Sequence, residues 1–178
     1  MRPEDVFAAL APGVPEWLGS AGRGSKARLT RAEASAYCQG MPRKWYLAAR
    51  LKYSLDMSVV GDLDYMVWDA GVVLAVKRKW RVPRGEQFLR RMGWLVIFEL
   101  LAPERFRSDS AWQLRAAFLG VSKSRWFGCW AIRYEEIYQE VEDWINQAYH
   151  WVARKLRADD SEPVDNSEKE FAKAGLKS

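Results

Sequence analysis

A single histidine, His150, and two cysteines, Cys38 and Cys129, are all that 178 residues offer toward imidazole or thiolate chemistry. Sites that need two imidazoles are therefore excluded, and neither a disulfide scaffold nor a four-thiolate zinc site can be built. A Ser-His-Asp relay would have to be assembled around His150 alone. Long apolar runs are missing too: the longest, Trp94 to Ala102, contains Glu99 and falls far short of the roughly 20 residues that span a bilayer. The opening Met1-Arg2-Pro3-Glu4-Asp5 lacks the basic stretch and apolar run of a secretory signal. These absences predict a cytoplasmic protein in a reducing compartment, with no membrane contact. No nucleophile, base and orienter can be grouped, so neither an enzyme nor a cofactor is expected. Asp62, Asp64 and Asp69 form a small acidic cluster, but helical spacing sends Asp64 away from the other two, which disfavours a metal site, and Glu135 with Glu136 and Glu142 with Asp143 read as the solvated side of a helix.

What is present is a globular composition, 49% hydrophobic with 29% charged, and a chain length suited to one domain. Charge is unevenly placed. Residues 1–133 carry 22 Lys and Arg against 12 Asp and Glu, whereas residues 134–178 carry 6 against 11. The basic part concentrates at Arg23 to Arg31, at Arg43 to Lys52, at Lys77, Arg78, Lys79, Arg81 and Arg84, and at Arg90 and Arg91. Such patches are a solvated face or a footprint for a polyanion, and a DNA-reading motif in the same chain favours the second.

Helical periodicity dominates and predicts an all-α fold. Residues 1–29 read as an N-terminal segment and flexible basic linker, with Gly19 to Ser25 as its most mobile part; no Gly-Lys-Ser/Thr ending makes that stretch a phosphate loop. Thr30 and Glu33 have capping-box spacing for a helix ending near Gly40. A helix follows Pro42. Another starts near Asp62, with Leu63, Met66, Val67, Ala70, Leu74 and Val76 on its apolar face, and a third runs from Phe88 to Pro103 after the Val82-Pro83-Arg84-Gly85 turn. From Ser122 to about Arg157 one long helix or two nearly continuous helices are expected. Trp130, Ile137, Trp144 and Trp151 fall seven apart, with Tyr134, Val141 and Ala148 four residues after the first three. The width of that stripe favours packing against the chain's own helices over a coiled-coil dimer, and a homo-oligomer is left open. The helical domain is placed at 30–157 and a disordered acidic tail at 158–178.

The segment 109–133 carries the chemistry. Asp109 or Ser110 caps a helix bearing Trp112, Ala116 and Leu119; Gly120-Val121-Ser122 breaks it; Ser122 caps the next helix. This is helix-turn-helix spacing, with small Ala116 where the two helices touch and Gly120 where the turn needs positive φ. Trp126 and Trp130 face the core. Ser122, Lys123, Ser124, Arg125 and Phe127 are left at the leading end of a recognition helix, where Arg125 is suited to guanine edges and Lys123 and Ser124 equally to phosphates. Arg115 departs from the pattern and is expected to snorkel outward. Of the tryptophans, Trp112, Trp126, Trp130, Trp144 and Trp151 read as core, while Trp45 and Trp80, next to basic residues, are candidates for base stacking.

The block Leu119-Gly120-Val121-Ser122-Lys123-Ser124-Arg125-Trp126, followed by Trp130, Arg133, Tyr134 and Ile137 on a long helix, resembles the C-terminal helix-turn-helix of small phage regulators, including Q-type late-gene antitermination proteins. The specific pattern covers about a quarter of the chain. The resemblance implies binding of a short double-stranded DNA element near a late promoter, loading onto paused RNA polymerase, and passage through terminators in a bacterial host's cytoplasm. It maps Lys123, Ser124 and Arg125 onto the DNA-contacting turn. Lys77, Arg78, Lys79, Arg81 and Arg84 would contact a nucleic-acid backbone, although no family motif assigns them. The zinc-binding insertion of some members is absent. The other readings are a DNA-binding packaging or replication accessory protein and a protein-interaction module whose helix-turn-helix is only a corner.

Overall fold

In a computed structural model of the chain, residues 1–12 and 29–161 are described, and among them every regular element is a helix. In chain order these are α1 (Pro3–Ala9), α2 (Arg31–Cys38), α3 (Arg43–Ser54), α4 (Val60–Lys77), α5 (Glu86–Leu101), α6 (Ala111–Leu119), α7 (Lys123–Arg125) and α8 (Ala131–Ser161). Short 3-10 turns at Met57–Val59 and Pro103–Phe106 lead out of α3 and α5, and a wide π turn at Trp126–Trp130 joins α7 to α8 without a break. The all-α expectation is met. The Gly19 to Ser25 linker lies outside the described residues, as does the acidic tail beyond Ser161, and α8 runs four residues past the boundary expected at Arg157.

Local chemistry fixes the ends. Thr30 and Glu33 form the reciprocal box: the Glu33 amide donates to Thr30 Oγ1 at 3.2 Å and the Thr30 amide to Glu33 Oε2 at 2.7 Å. Asp56, fully buried, accepts from the Ser58 amide at 3.0 Å and from its hydroxyl at 2.6 Å, and pairs with Arg50. Burial works to raise the Asp56 pKa, but the Ser58 bonds and the Arg50 charge outweigh it and hold the carboxyl below its ordinary value. Helix α4 therefore starts at a capped 3-10 turn, two residues before the expected Asp62.

The stripe of α8 is the spine of the core. Trp130, Tyr134, Ile137, Val141, Trp144, Ile145, Ala148 and Val152 are all buried, covered in succession by α5 and α4, then α3, then α1 and α2. Gly71 of α4 lies where α4 crosses α8: a Cβ there would stand 3.2 Å from Ile137 Cδ1, close enough that the Ile137 side chain would have to shift by a few tenths of an ångström. A second cluster closes the far end: Val6, Phe7 and Leu10 of the N-terminal segment, Ala34, Cys38, Ala49, Ala148, Val152 and Leu156. Helix α1, from the N-terminal segment, thus packs in this second cluster, against α3 and α8. Lys155 Nζ donates to the carbonyls of Ala36 and Gln39 at 3.2 and 2.8 Å, closing the end of α2. Among the described residues no helix is long and apolar enough to cross a membrane.

Two placements differ from the sequence reading. Val76, expected on the buried face of α4, is 74% exposed, since α4 is apolar on nearly every side and periodicity does not select a face. Trp45, a candidate for base stacking, is half-buried and meets Trp151 edge to face at 6.4 Å.

The two cysteines test this packing. Burial pushes the Cys38 thiol up to about 11, a shift that Lys155 and Arg50 only partly offset, so it stays protonated near neutrality, whereas Cys129 is half-exposed. At pH 8 a maleimide is expected to label Cys129 alone in the folded chain and both thiols in denaturant, read by mass spectrometry; prompt double labelling would mean the α1–α2 end is open.

Candidate nucleic-acid interface

The turn between α6 and α7 is built by its backbone. Gly120 adopts φ 66°, ψ 38°; its amide donates to the Ala117 carbonyl at 3.1 Å, and the Val121 amide to Ala116 at 3.0 Å, the paired bonds of a Schellman ending. No atom lies within 4 Å of a Cβ at Gly120, so glycine is favoured there by conformation rather than space. Ser122 then turns extended (φ −71°, ψ 159°) and its Oγ accepts from the Arg125 amide at 3.4 Å, opening the next helix as predicted. At the other end of α6 the expected side-chain cap is not formed. Ser110 already has helical dihedrals (φ −87°, ψ 0°), and its hydroxyl meets Ser108 Oγ at 3.0 Å instead.

The sequence-predicted residues come together on one crest. Ser122, Lys123, Ser124 and Arg125 are exposed, and Phe127 is 54% exposed. Trp112 supports them from α6, with Lys123 Nζ 5.2 Å from its ring centroid and the Phe127 ring 5.2 Å away. The Arg125 side chain has no ion pair among the described residues. Beneath the crest, Trp126 and Trp130 are each 3% exposed; Trp130 packs on Phe88 of α5 at 4.4 Å and Trp126 on Tyr134 at 5.8 Å.

Sequence reasoning missed what locks this crest to the core. Arg115 does not snorkel outward. It turns in, its Nε donating to Glu99 Oε2 at 3.0 Å and its Nη2 to Oε1, while Tyr134 Oη donates to Glu99 Oε2 at 2.5 Å. A carboxylate buried in α5 thus gathers α6 and α8. The reason for the inward turn is Glu99 itself: a charge buried to that extent needs a partner, and Arg115 is the cation within reach. Burial first, then the Glu99 bond, raise the Tyr134 hydroxyl far above its ordinary range, so it remains a donor; for Arg115, burial works to lower the pKa and Glu99 outweighs it. The signal lay in a lone Glu inside the apolar run Trp94 to Ala102 and a lone Arg on the face of α6.

The second set of basic residues follows α4. Lys77, Arg78, Lys79, Arg81 and Arg84 extend along the end of that helix and the loop beyond it, and Lys79 (φ 53°) and Arg84 (φ 59°) hold left-handed conformations that L-residues rarely adopt. Arg78 is committed, its Nε lying 3.2 Å from Glu136 Oε2. Arg133 of α8 ties the loop down: its Nη1 donates to the Arg81 carbonyl at 3.4 Å, and its guanidinium lies 4.6 Å from the Trp130 ring centroid and 5.6 Å from that of Trp80. Trp80, the other stacking candidate, is half-buried under this cation. Because Arg133 sits eight residues beyond Arg125 on a continuous helix, roughly 12 Å along its axis, the loop and the crest share one end of the molecule.

Comparison of the chain with protein-family models, curated proteins and solved structures finds no match.

The buried carboxylate has a measurable consequence. Glu99→Ala leaves Arg115 and Tyr134 without their acceptor and is expected to cost about 3 kcal/mol in urea unfolding. Glu99→Leu combined with Arg115→Met, which removes both charges, is expected to recover most of that loss. A double variant no more stable than the single would contradict this account of the pair.

Proposed function

We propose that the chain is a phage or prophage transcription regulator that binds double-stranded DNA through α6 and the leading turn of α7, and that its specific task is antitermination on RNA polymerase. The observation that carries the DNA-binding part is the exposed crest: an N-capped helix start presenting Ser122, Lys123, Ser124 and Arg125 outward on a base of buried tryptophans. That arrangement suits entry into a major groove, with Arg125 free to form a bidentate pair with guanine and the amides of the capped turn near a phosphate. The basic loop at the same end adds Lys77, Lys79, Arg81 and Arg84 as backbone contacts, which hold register without reading sequence. The antitermination part rests on the resemblance of the segment Leu119 to Ile137 to Q-type proteins. An apolar patch of Phe98, Leu114 and Phe118, 44%, 52% and 40% exposed, lies beside the crest on α5 and α6 and gives a protein partner such as the polymerase a surface that DNA does not occupy.

The test is selection of duplexes from a randomised pool by the full chain. A consensus is expected to emerge, and Lys123→Ala with Arg125→Ala should weaken binding to it by roughly 1–3 kcal/mol for each base edge no longer read. Thermal unfolding should stay within about a degree or two of wild type, as expected for exposed positions. A pool that never enriches would remove the reading. In a salt titration, Lys79→Ala, Arg81→Ala and Arg84→Ala together should weaken all duplexes alike and flatten the slope of log K against log salt by roughly one per phosphate neutralised. For the polymerase, transcription through a terminator downstream of the selected element should rise with wild type and fall back with Leu114→Asp. Sustained read-through by that variant would place the polymerase contact elsewhere.

A further inference from the structure

We infer that the outer face of α4 is a homodimer surface, on which a second copy of this chain packs antiparallel across a two-fold axis passing near Val73. The starting observation is composition. Helix α4 has 18 residues of which only Asp62, Asp64, Asp69 and Lys77 are charged, and its apolar residues occupy every side. A helix of that kind is ordinarily enclosed. Here only the inner face is: Leu63, Val67, Gly71 and Ala75 are buried against α5 and α8, whereas Tyr65, Val73 and Val76 stand 64%, 56% and 74% exposed. Among the described residues nothing else covers that face. It forms a ridge between two shallow clefts, one of about 420 Å3 toward α8, bounded by Met66, Ala70 and Trp144, and one of about 400 Å3 toward the loop after α4, bounded by Val72, Trp80 and Leu89. A ridge flanked by clefts matches a second ridge of its own kind.

Charge decides the occupant. Asp69 and Lys77 both line the outer side of α4, and neither forms an ion pair among the described residues. They lie four residues before and four after Val73, on the same face. In an antiparallel pair with its axis at Val73, a residue a given number before that position faces one the same number after it in the other copy. Asp69 of each copy then meets Lys77 of the other, twice over, and Val76 of each copy meets the small Ala70 of the other, so a knob seats on a gap. An unrelated partner would gain no such double match from the spacing. The interface does not use the crest at Ser122 to Arg125, and Lys77 is the one residue it shares with the proposed nucleic-acid contacts, so substitutions at the crest test DNA binding without touching the dimer.

The test is sedimentation equilibrium of the full chain and charge-reversed variants. Wild type is expected to sediment as a dimer at micromolar concentration, and Val73→Asp as a monomer with unaltered helical circular dichroism and thermal unfolding. Asp69→Lys and Lys77→Asp each set like charges face to face, so each alone should dissociate at least roughly tenfold more readily. An equimolar mixture of the two should associate again, because each carries the charges the other lacks. Leu114→Asp, on the remote apolar patch, should leave the dimer intact. A monomeric wild type, single reversals as tightly paired as wild type, a mixture that stays monomeric, or a dimer lost on Leu114→Asp would each overturn the inference.

Discussion

One buried carboxylate organises the end of the molecule that matters. Glu99 is 8% exposed on α5, and a charge so placed is stable only with opposite charge and hydrogen bonds around it. It receives both from Arg115 and Tyr134, which belong to α6 and to α8. Three helices are thereby pinned at a common point, with aromatic packing on one side of it through Trp126 and Tyr134. Since only Gly120, Val121 and Ser122 link α6 to α7 along the chain, and Trp112 of α6 also touches Lys123 and Phe127, fixing α6 and α8 fixes the angle at which the turn stands. Apolar packing alone permits sliding of one helix on another by a fraction of a turn; a directional pair of hydrogen bonds does not.

The π turn at Trp126–Trp130 belongs to the same constraint. Trp126, Trp130 and Tyr134 are all buried, yet two successive steps of four residues drift by roughly 80° around an α-helix. A wider turn takes up that drift, so both tryptophans and the tyrosine face inward together while α7 keeps its outward face. Gly128, exposed and with nothing within 4 Å of a would-be Cβ, sits inside the widened turn. The crest is thus held outward by what is buried under it, and the proposed DNA contact uses a surface whose orientation is set by the core.

How much of this could be read beforehand follows from what periodicity and capping encode. The stripe from Trp130 to Val152 was legible because alternating three- and four-residue steps admit one conformation, and the Thr30 and Ser122 caps because oxygen, spacing and break residue coincide. The candidate site was legible at the turn, where Gly120 and Ser122 announce the geometry, and in the identity of the exposed residues. Other features were not. Helix α4 is apolar all round, so periodicity does not tell that Val76 faces outward. Ser110 had the chemistry of a cap but not the dihedrals. The inward turn of Arg115 is not legible because its partner is 16 residues away in sequence, and no local pattern joins a charge on one helix to a charge on another. The seating of Arg133 against Trp80, 53 residues away, is hidden for the same reason, although its contact with Trp130 has the local i, i+3 spacing.

The loop after α4 shows how the remaining parts combine. Placing Lys79 and Arg84 in left-handed conformations costs on the order of 1–2 kcal/mol apiece, a cost that Gly or Asn would avoid. Strain of this kind persists where surrounding structure over-determines it, and here Arg133 clamps the Arg81 carbonyl from α8 while the Trp80 amide donates to the Ala75 carbonyl at 2.8 Å. The result is a tight reversal that holds Lys79, Arg81 and Arg84 at the end of the molecule where the crest also lies. If two copies meet along α4, the loops begin only five residues beyond the two-fold on either side, so their starts lie roughly 15 Å apart along the helix axes. Two positive loops that close repel one another, which weakens the pair without preventing it, and a polyanion between them would relieve that repulsion. Dimerisation and nucleic-acid binding would then be coupled through charge, with Lys77 the one residue proposed for both.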